Sequence, residues 1–543
     1  MKSIPRRLFF YSLLSALLQL VPFPIAGSVP LWRRCFCWFC LLPLLYALTA
    51  KNEKGERLTS LQSALIGYLC GIAWYMGNCY WIYQTMHIYG GIPELVSFGI
   101  LILFALYLGL YYALFAWLIA LLSRYYSIAK VVLVMPFLWV AIELARARIT
   151  GFPWDLLGYT QVDNSVLTHL APYGGVMLLS FVIASVNALL LFALREEKEK
   201  IRLIGITVSL LCAAVLQCGV FAKSAPDPAD HRAVLLQENL AVGAEGSDLV
   251  PFPMEQKYQQ FIGWSLHPLT PSDIHSAADS SSVSNPGSHP DLIVWPEAPA
   301  AFFTSDPTFR SELSYLSRTA TAPAIVGSVG VDFDPDAPGG YHEFGSAAIF
   351  DSSGSYIGRY DKIHRVPWGE YVPYKQLFSF AGKLISGVGN MEPGTEHKVF
   401  NLNGHATGIF ICYESIFGDE VRQFVLNGAQ VLVNISDDGW YGDSGAPWQH
   451  LDMARMRAIE NDRWILRDTN TGITTAIDPH GRGDFFTPRH VRAASTFNYG
   501  YCTGTTFYTR HGDWFAWLCV IITLGALAFA LTALRFAARI KAS

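Results

Sequence analysis

Thr407-Gly408-Ile409-Phe410-Ile411-Cys412-Tyr413-Glu414 is an apolar run of strand length that ends in a thiol followed by a carboxylate. Short apolar runs bounded by turn residues form buried strands, and α/β folds present their chemistry just beyond the carboxyl ends of such strands. Cys412 therefore stands where a nucleophile belongs, and backbone N–H groups there, especially that of Tyr413, can stabilise a tetrahedral intermediate. A lone buried cysteine is usually an inert small hydrophobe, so the reading depends on what else the chain places near strand ends.

Two segments supply it. Leu292-Ile293-Val294-Trp295-Pro296-Glu297 is a second buried strand, broken at Pro296, that delivers the Glu297 carboxylate beside the Trp295 ring in the position of a general base. Tyr360-Asp361-Lys362-Ile363-His364-Arg365-Val366-Pro367-Trp368-Gly369-Glu370 follows a hairpin predicted over Ser346–Phe350 and Tyr356–Tyr360, turning at Ser352-Ser353-Gly354-Ser355. Lys362 can set a fixed positive charge on a developing oxyanion and favour the Cys412 thiolate, with Glu370 holding the loop.

From about Ala225 to Thr509 short apolar runs are punctuated by turns and helical stretches. Further strands are expected at Ala233–Gln237, Ala324–Gly327, Val431–Ile435 and Ile473–Ile477, and helices at Met254–Leu266, Pro307–Thr319, Asp419–Asn427 and Trp448–Asn461. Strands alternating with helices define an α/β sandwich. Ser276–Pro290, rich in serine and without an apolar anchor, reads as a mobile surface loop.

The remainder is membrane-like. The chain is 52% hydrophobic and 15% charged over 543 residues, too apolar for an ordinary soluble protein. Spans of roughly 20 apolar residues are expected near 8–28, 32–49, 61–84, 94–123, 129–146, 171–194, 203–221 and 514–536, eight in all. Lys2, Arg6, Arg7, Lys51, Lys54, Arg57, Arg124, Lys130, Arg195, Lys198, Lys200, Arg202, Arg535, Arg539 and Lys541 fall in one alternate set of loops, and only Arg33, Arg34, Arg146 and Arg148 in the other. Positive loops stay in the cytoplasm, so both termini are expected there and the large domain outside. The organisation is then 1–224 as transmembrane helices one to seven, 225–509 as the catalytic domain, and 510–543 as helix eight and a cytoplasmic tail. On the outer side, Met86–Pro93 and Gly151–Tyr159 are connections rich in aromatics, Gly and Pro. A net charge of −4 with no basic stripe excludes the footprint of a nucleic-acid binder. Cys35, Cys37 and Cys40 lack nearby histidine or acidic ligands, so no metal site is read there.

Taken together, these motifs resemble the nitrilase superfamily, whose Glu, Lys and Cys triad sits in an αββα sandwich, and the order Glu297, Lys362, Cys412 matches. Tyr360 to Pro373, Cys412-Tyr413-Glu414, Asn434-Ile435-Ser436-Asp437-Asp438-Gly439-Trp440-Tyr441-Gly442 and Pro447-Trp448-Gln449-His450 leading to Met453-Ala454-Arg455-Met456-Arg457 resemble the apolipoprotein N-acyltransferase family. The Gly151-Phe152-Pro153-Trp154 connection and the span layout agree.

The resemblance implies a multi-span α-helical membrane domain joined to a nitrilase-like sandwich, in the bacterial inner membrane with the site facing the periplasm. Cys412 would take the sn-1 acyl chain of a phospholipid, typically phosphatidylethanolamine, as a thioester. The α-amine of an S-diacylglyceryl cysteine on an apolipoprotein would then accept it. Glu297 would be the base, Lys362 the oxyanion stabiliser, Glu370, Tyr413 and Glu414 supporting groups, and Trp295 and Trp440 pocket residues. No cofactor or metal is implied, and a monomer is expected. The family carries a Trp in a loop after the strand end matched by Gln237-Glu238-Asn239, where this chain offers Phe252 and no Trp before Trp264. The competing readings are a membrane-bound amidase using the same triad on water and a non-catalytic transporter. Glu143 is the main candidate for an ionisable residue within the spans, so a transport path has little support.

Overall fold

Side-chain alternation along the strands decides the layers of the catalytic domain. The computed structural model describes residues 4–51, 55–222, 225, 227–243, 254–269, 289–297, 302–337, 339–371, 391–483 and 485–542, with side chains to Thr532; Phe252 and residues 276–288 lie outside them. The strands are β1 (His231–Gln237), β2 (Leu292–Trp295), β3 (Ala324–Phe333), β4 (Tyr341–Phe350), β5 (Tyr356–Asp361), β6 (Val399–Leu402), β7 (His405–Ile411), β8 (Val431–Ser436), β9 (Ile465–Thr469), β10 (Thr475–Ile477) and β11 (Ala493–Tyr499). They form a six-stranded sheet of order β11-β1-β2-β3-β4-β5 and a five-stranded sheet of order β10-β9-β8-β7-β6. The parallel centres, β1-β2-β3 and β7-β8-β9, carry the strands that end at the site.

Successive strand residues face opposite sides. Leu235, Val294 and Ile349 share one buried cluster with Ile411, Val433 and Ile435 of the second sheet. Their neighbours Leu236, Trp295 and Phe350 pack instead under helices Met254–Leu266 and Pro307–Ala320. The latter helix starts at Asp306, whose side chain accepts from the Thr308 amide, with Pro307 following, and it buries Phe309, Leu313, Leu316 and Ala320 on one stripe. Helices Gly418–Leu426 and Ala446–Asn461 cover the second sheet, completing the αββα sandwich.

Helices stand at all eight positions expected to span, but six among the described residues are long and apolar enough to cross a membrane: Leu31–Leu48, Glu94–Tyr125, Ile128–Ile149, Leu167–Arg195, Glu199–Phe221 and Trp514–Thr532. Helix Arg6–Leu20 has only 15 residues, about 22 Å of rise against a hydrocarbon core of about 30 Å. Helix Ser60–Asn78 has 19 and includes Ser60, Gln62, Ser63 and Asn78. It lies hard against Glu94–Tyr125, because a Cβ at Gly67 would meet the Tyr112 carbonyl oxygen at 2.4 Å and one at Gly71 would meet the Gly109 Cα at 3.0 Å. Small residues at this spacing let helix backbones approach in a membrane.

The four arginines of the opposite loop set are all tied to protein groups. Arg33 donates to the Val21 and Phe23 carbonyls, Arg34 pairs with Asp163 and Asp452, Arg146 donates to the Tyr75 hydroxyl, and Arg148 bridges Asp419 and Asp513. These are charges engaged by protein groups rather than free ones. The segments around Met86–Pro93 and Gly151–Tyr159 meet the catalytic domain: Thr85 donates to the Trp440 carbonyl at 2.9 Å, and the Trp154 indole N–H donates to Gln449 at 2.8 Å.

Candidate active site

The end of β7 makes a sharp turn. Cys412 has φ +49°, a left-handed conformation that non-glycine residues adopt only where the surroundings enforce it. Glu414 supplies part of that enforcement by reaching back to the Ile411 amide at 2.6 Å. Its other oxygen accepts from the Tyr360 hydroxyl and from the Ile363 and His364 amides. One buried carboxylate therefore ties the cysteine turn to the loop that carries Lys362.

Lys362, 1% exposed, donates to Glu297 Oε1 at 2.9 Å and Glu370 Oε1 at 2.6 Å. Glu297 is fixed further by the Asp437 amide, which donates to its Oε2 at 3.0 Å, and Glu370 by the Val366 amide at 2.8 Å. Burial pulls the ammonium of Lys362 down, but the Glu297 and Glu370 carboxylates outweigh it and hold it well above the ordinary lysine value. Lys362 is thus a permanent cation within a carboxylate clamp.

Cys412 is brought to this clamp. Burial and the neighbouring Glu297 charge push its thiol well above the ordinary value, against the pull of Lys362. A thiol beside a carboxylate must pass its proton as it attacks, which calls for a general base at the position of Glu297.

Trp295 is also corrected. Fully buried, it packs with Phe261 and Phe302 on the helix side of the first sheet, with its N–H on Ser265 at 2.9 Å, so it belongs to the core rather than to a pocket. Strand alternation sends it to the face opposite Val294. Trp440, 41% exposed, instead stands beside the Thr85 connection. The Tyr413 hydroxyl donates to the Gly151 carbonyl at 3.2 Å, and its ring joins the buried core of the membrane helices.

Sequence reading assigned no role to four residues that lie beneath the cysteine. His450 Nδ1 is 2.9 Å from Asp438 Oδ1, its Nε2 is 3.1 Å from the Cys412 carbonyl, Ser436 donates to Asp438, and Arg467 pairs with the other Asp438 oxygen at 2.7 Å. The motifs containing Asp438 and His450 were visible in the chain, whereas Arg467 sits inside a strand.

Asp437, the residue before Asp438, is buried beside Glu297. Burial, with Glu297 beside it, pushes its carboxyl up to about 7, against the Asn470 hydrogen bond. Its folded pKa lies above the unfolded one, so the folded state holds the extra proton and loses stability as pH rises from the ordinary carboxylate range to about 7. Asp437→Asn, which keeps an acceptor for Asn470 and Gly439, is therefore expected to raise the melting temperature more at pH 8 than at pH 5. An equal shift at both pH values contradicts the argument.

A two-sheet sandwich presenting cysteine, glutamate and lysine at its strand ends defines the chain as a carbon-nitrogen hydrolase-type catalytic domain carried on membrane helices. The family model described as carbon-nitrogen hydrolase matches residues 280–483, and the one described as apolipoprotein N-acyltransferase N-terminal domain matches residues 15–189. An apolipoprotein N-acyltransferase of Geobacter metallireducens is 34% identical over 97% of this chain and 96% of its own length. Those of Methylococcus capsulatus and Pseudomonas syringae pv. tomato are 32% and 31% identical, over 88% and 92% of this chain and 90% and 94% of their own. The chain belongs to the apolipoprotein N-acyltransferase family.

Proposed function

We propose that this chain transfers the sn-1 acyl chain of a phospholipid, with phosphatidylethanolamine as donor, to the α-amine of the S-diacylglyceryl cysteine that begins an apolipoprotein. The family membership supports an acyltransferase acting between a phospholipid and a lipoprotein. The observation that carries the reading is the seating of the cysteine turn: Glu297 and Lys362 of the clamp lie within electrostatic reach of Cys412, and Tyr413 is anchored on Gly151 of the membrane domain. That seating sets the nucleophile at the membrane domain, where an ester of a bilayer lipid is the available acyl donor.

The residues give a ping-pong sequence. Cys412 Sγ attacks the ester carbonyl while Glu297 takes the thiol proton. Lys362 stabilises the oxyanion together with the Tyr413 amide, and Glu297 returns the proton to the departing lysophospholipid alkoxide. The lipoprotein amine then attacks the thioester, its proton passes through Glu297 to the leaving thiolate, and the enzyme is restored. Glu370 and Glu414 keep the clamp and the turn in register. Residues 1–224 and 510–543 form the membrane part, with both termini in the cytoplasm. Residues 225–509 form the catalytic domain on the periplasmic side of the inner membrane, and one chain holds a complete site.

The purified protein incubated with phosphatidylethanolamine is expected to gain one acyl mass that hydroxylamine removes and that a diacylglyceryl lipopeptide amine discharges. Discharge to water alone would make the chain an amidase-like hydrolase. No adduct with any phospholipid would remove the thioester route.

A further inference from the structure

The nucleophile turn is held from below by a side chain that is itself clamped by the membrane domain. Cys412 keeps its left-handed φ of +49° only if its neighbours over-determine it, since such a conformation is otherwise unfavourable. Glu414 fixes the amide on one side of the turn. The Cys412 carbonyl, on the other side, has His450 Nε2 at 3.1 Å. The Ser415 hydroxyl of the same turn lies 2.6 Å from that Nε2, so the ring is joined to the turn through Ser415 as well as through the carbonyl.

The His450 ring is fully enclosed. Its Nδ1 faces Asp438 Oδ1 at 2.9 Å and Arg467 at 3.1 Å. Asp438 is itself locked by Ser436 and Arg467. Across one face of the ring lies Trp154, with the two rings 5.8 Å apart and inclined by 18°. Trp154 comes from the outer connection of the membrane domain, stacks on Phe152, and donates its N–H to Gln449, the residue before His450. Gln449 donates in turn to the Pro24 carbonyl at 2.8 Å and the Asn78 carbonyl at 3.2 Å. The chain of contacts runs from three membrane segments through one helix turn to the nucleophile's own backbone.

We propose that His450 is a positioning residue for the acyl transfer: gripped between Trp154 of the membrane domain and Asp438 of the catalytic domain, it holds the Cys412–Ile416 turn, through the Ser415 hydroxyl and the Cys412 carbonyl, so that the sulfur stays aligned with Glu297 and Lys362. The proposal rests on Cys412 being the nucleophile and deepens that reading. It assigns work to the Gly151–Tyr159 connection and to the Pro447–His450 motif. A displacement of about 1 Å at a reacting atom can cost about 10²-fold in rate, and that is the scale expected here.

The test uses the full chain in lipid nanodiscs, with single-turnover acyl-adduct formation from phosphatidylethanolamine and alkylation of Cys412 by iodoacetamide measured side by side. In His450→Leu the limiting rate of adduct formation is expected to fall about 10²-fold with the half-saturating lipid concentration unchanged. Alkylation should slow as well, because the sulfur leaves its base. His450→Gln, whose amide both donates and accepts and so meets the carbonyl and the Ser415 hydroxyl, is expected to recover most of both rates, and His450→Asn, one methylene shorter, to recover little.

A His450→Leu rate close to that of the wild type, a loss confined to half-saturation, or equal rates for the Gln and Asn variants would each overturn the proposal. Should the leucine variant fail to fold, the order wild type, Gln, Asn decides it. If the wild type forms no adduct the acyl-transfer reading fails, while the alkylation rates still decide whether His450 positions the thiol.

Discussion

Cys412→Ala is expected to leave no acyl adduct and to lower lipoprotein acylation by at least about 10⁴-fold, the scale on which deleting a nucleophile acts. The loss should fall on both half-reactions, because the same sulfur accepts the acyl chain and later releases it. Alanine retains the Cβ and the backbone demand of the turn, and the Glu414 bonds to Ile411, Ile363 and His364 do not involve the sulfur. The melting temperature is therefore expected to shift by no more than about 2 °C, which corresponds to about 1 kcal/mol for a domain of this size. Acylation of a lipopeptide followed by mass, alongside thermal unfolding, reads both quantities. Substantial residual transfer by a well-folded alanine variant would move the chemistry off Cys412 altogether.

Lys362→Met is expected to damage stability and rate together. The ammonium is the shared partner of Glu297 and Glu370, so its loss leaves two carboxylates facing each other in a largely buried site. Breaking a buried pair from one side costs about 3–5 kcal/mol, and the partial exposure of the two glutamates places this case near the lower end, about 3 kcal/mol. Loss of an oxyanion donor costs a further 10²- to 10³-fold in rate, roughly 2.7–4 kcal/mol. Thermal unfolding and lipopeptide acylation, measured on the same variant, read the two effects separately. A methionine variant as stable as the wild type at neutral pH would show that the clamp contributes no net stabilisation.

Much of this was legible in the chain because apolar runs and turn residues report directly on buried strands. β2, β7 and β8 were visible as continuous apolar segments, and the breaks after them exposed Glu297 and Cys412. Helix Met254–Leu266 was bounded correctly, and helix Pro307–Ala320 to within one residue. β9 escaped because Arg467 and Asp468 give it a polar reading, although both are buried; Arg467 pays for its burial through Asp438 and Asn434. β11 escaped because Ser495, Thr496 and Asn498 interrupt its apolar pattern. The side to which Trp295 points depends on which face of a two-sided buried strand meets a helix, and no periodicity distinguishes two apolar faces. The His450–Asp438–Arg467 group was hidden for a different reason: its members come from three separate elements, and only the closed sandwich makes them neighbours.

Helix Ala446–Asn461 would form the water-facing outer layer of a free-standing sandwich, yet here both of its sides are interior. One side lies on the second sheet, and the other meets Arg34, Trp154, Tyr159, Asp163 and the Val176 amide through Asp452, Gln449, Arg457, Arg455 and Glu460. The two regions recognised by separate family models are therefore not interchangeable cassettes. A chimera joining this catalytic half to the membrane half of a relative inherits a seam of charged and hydrogen-bonded residues that must match on both sides. The halves are bound to change in step, as one lineage.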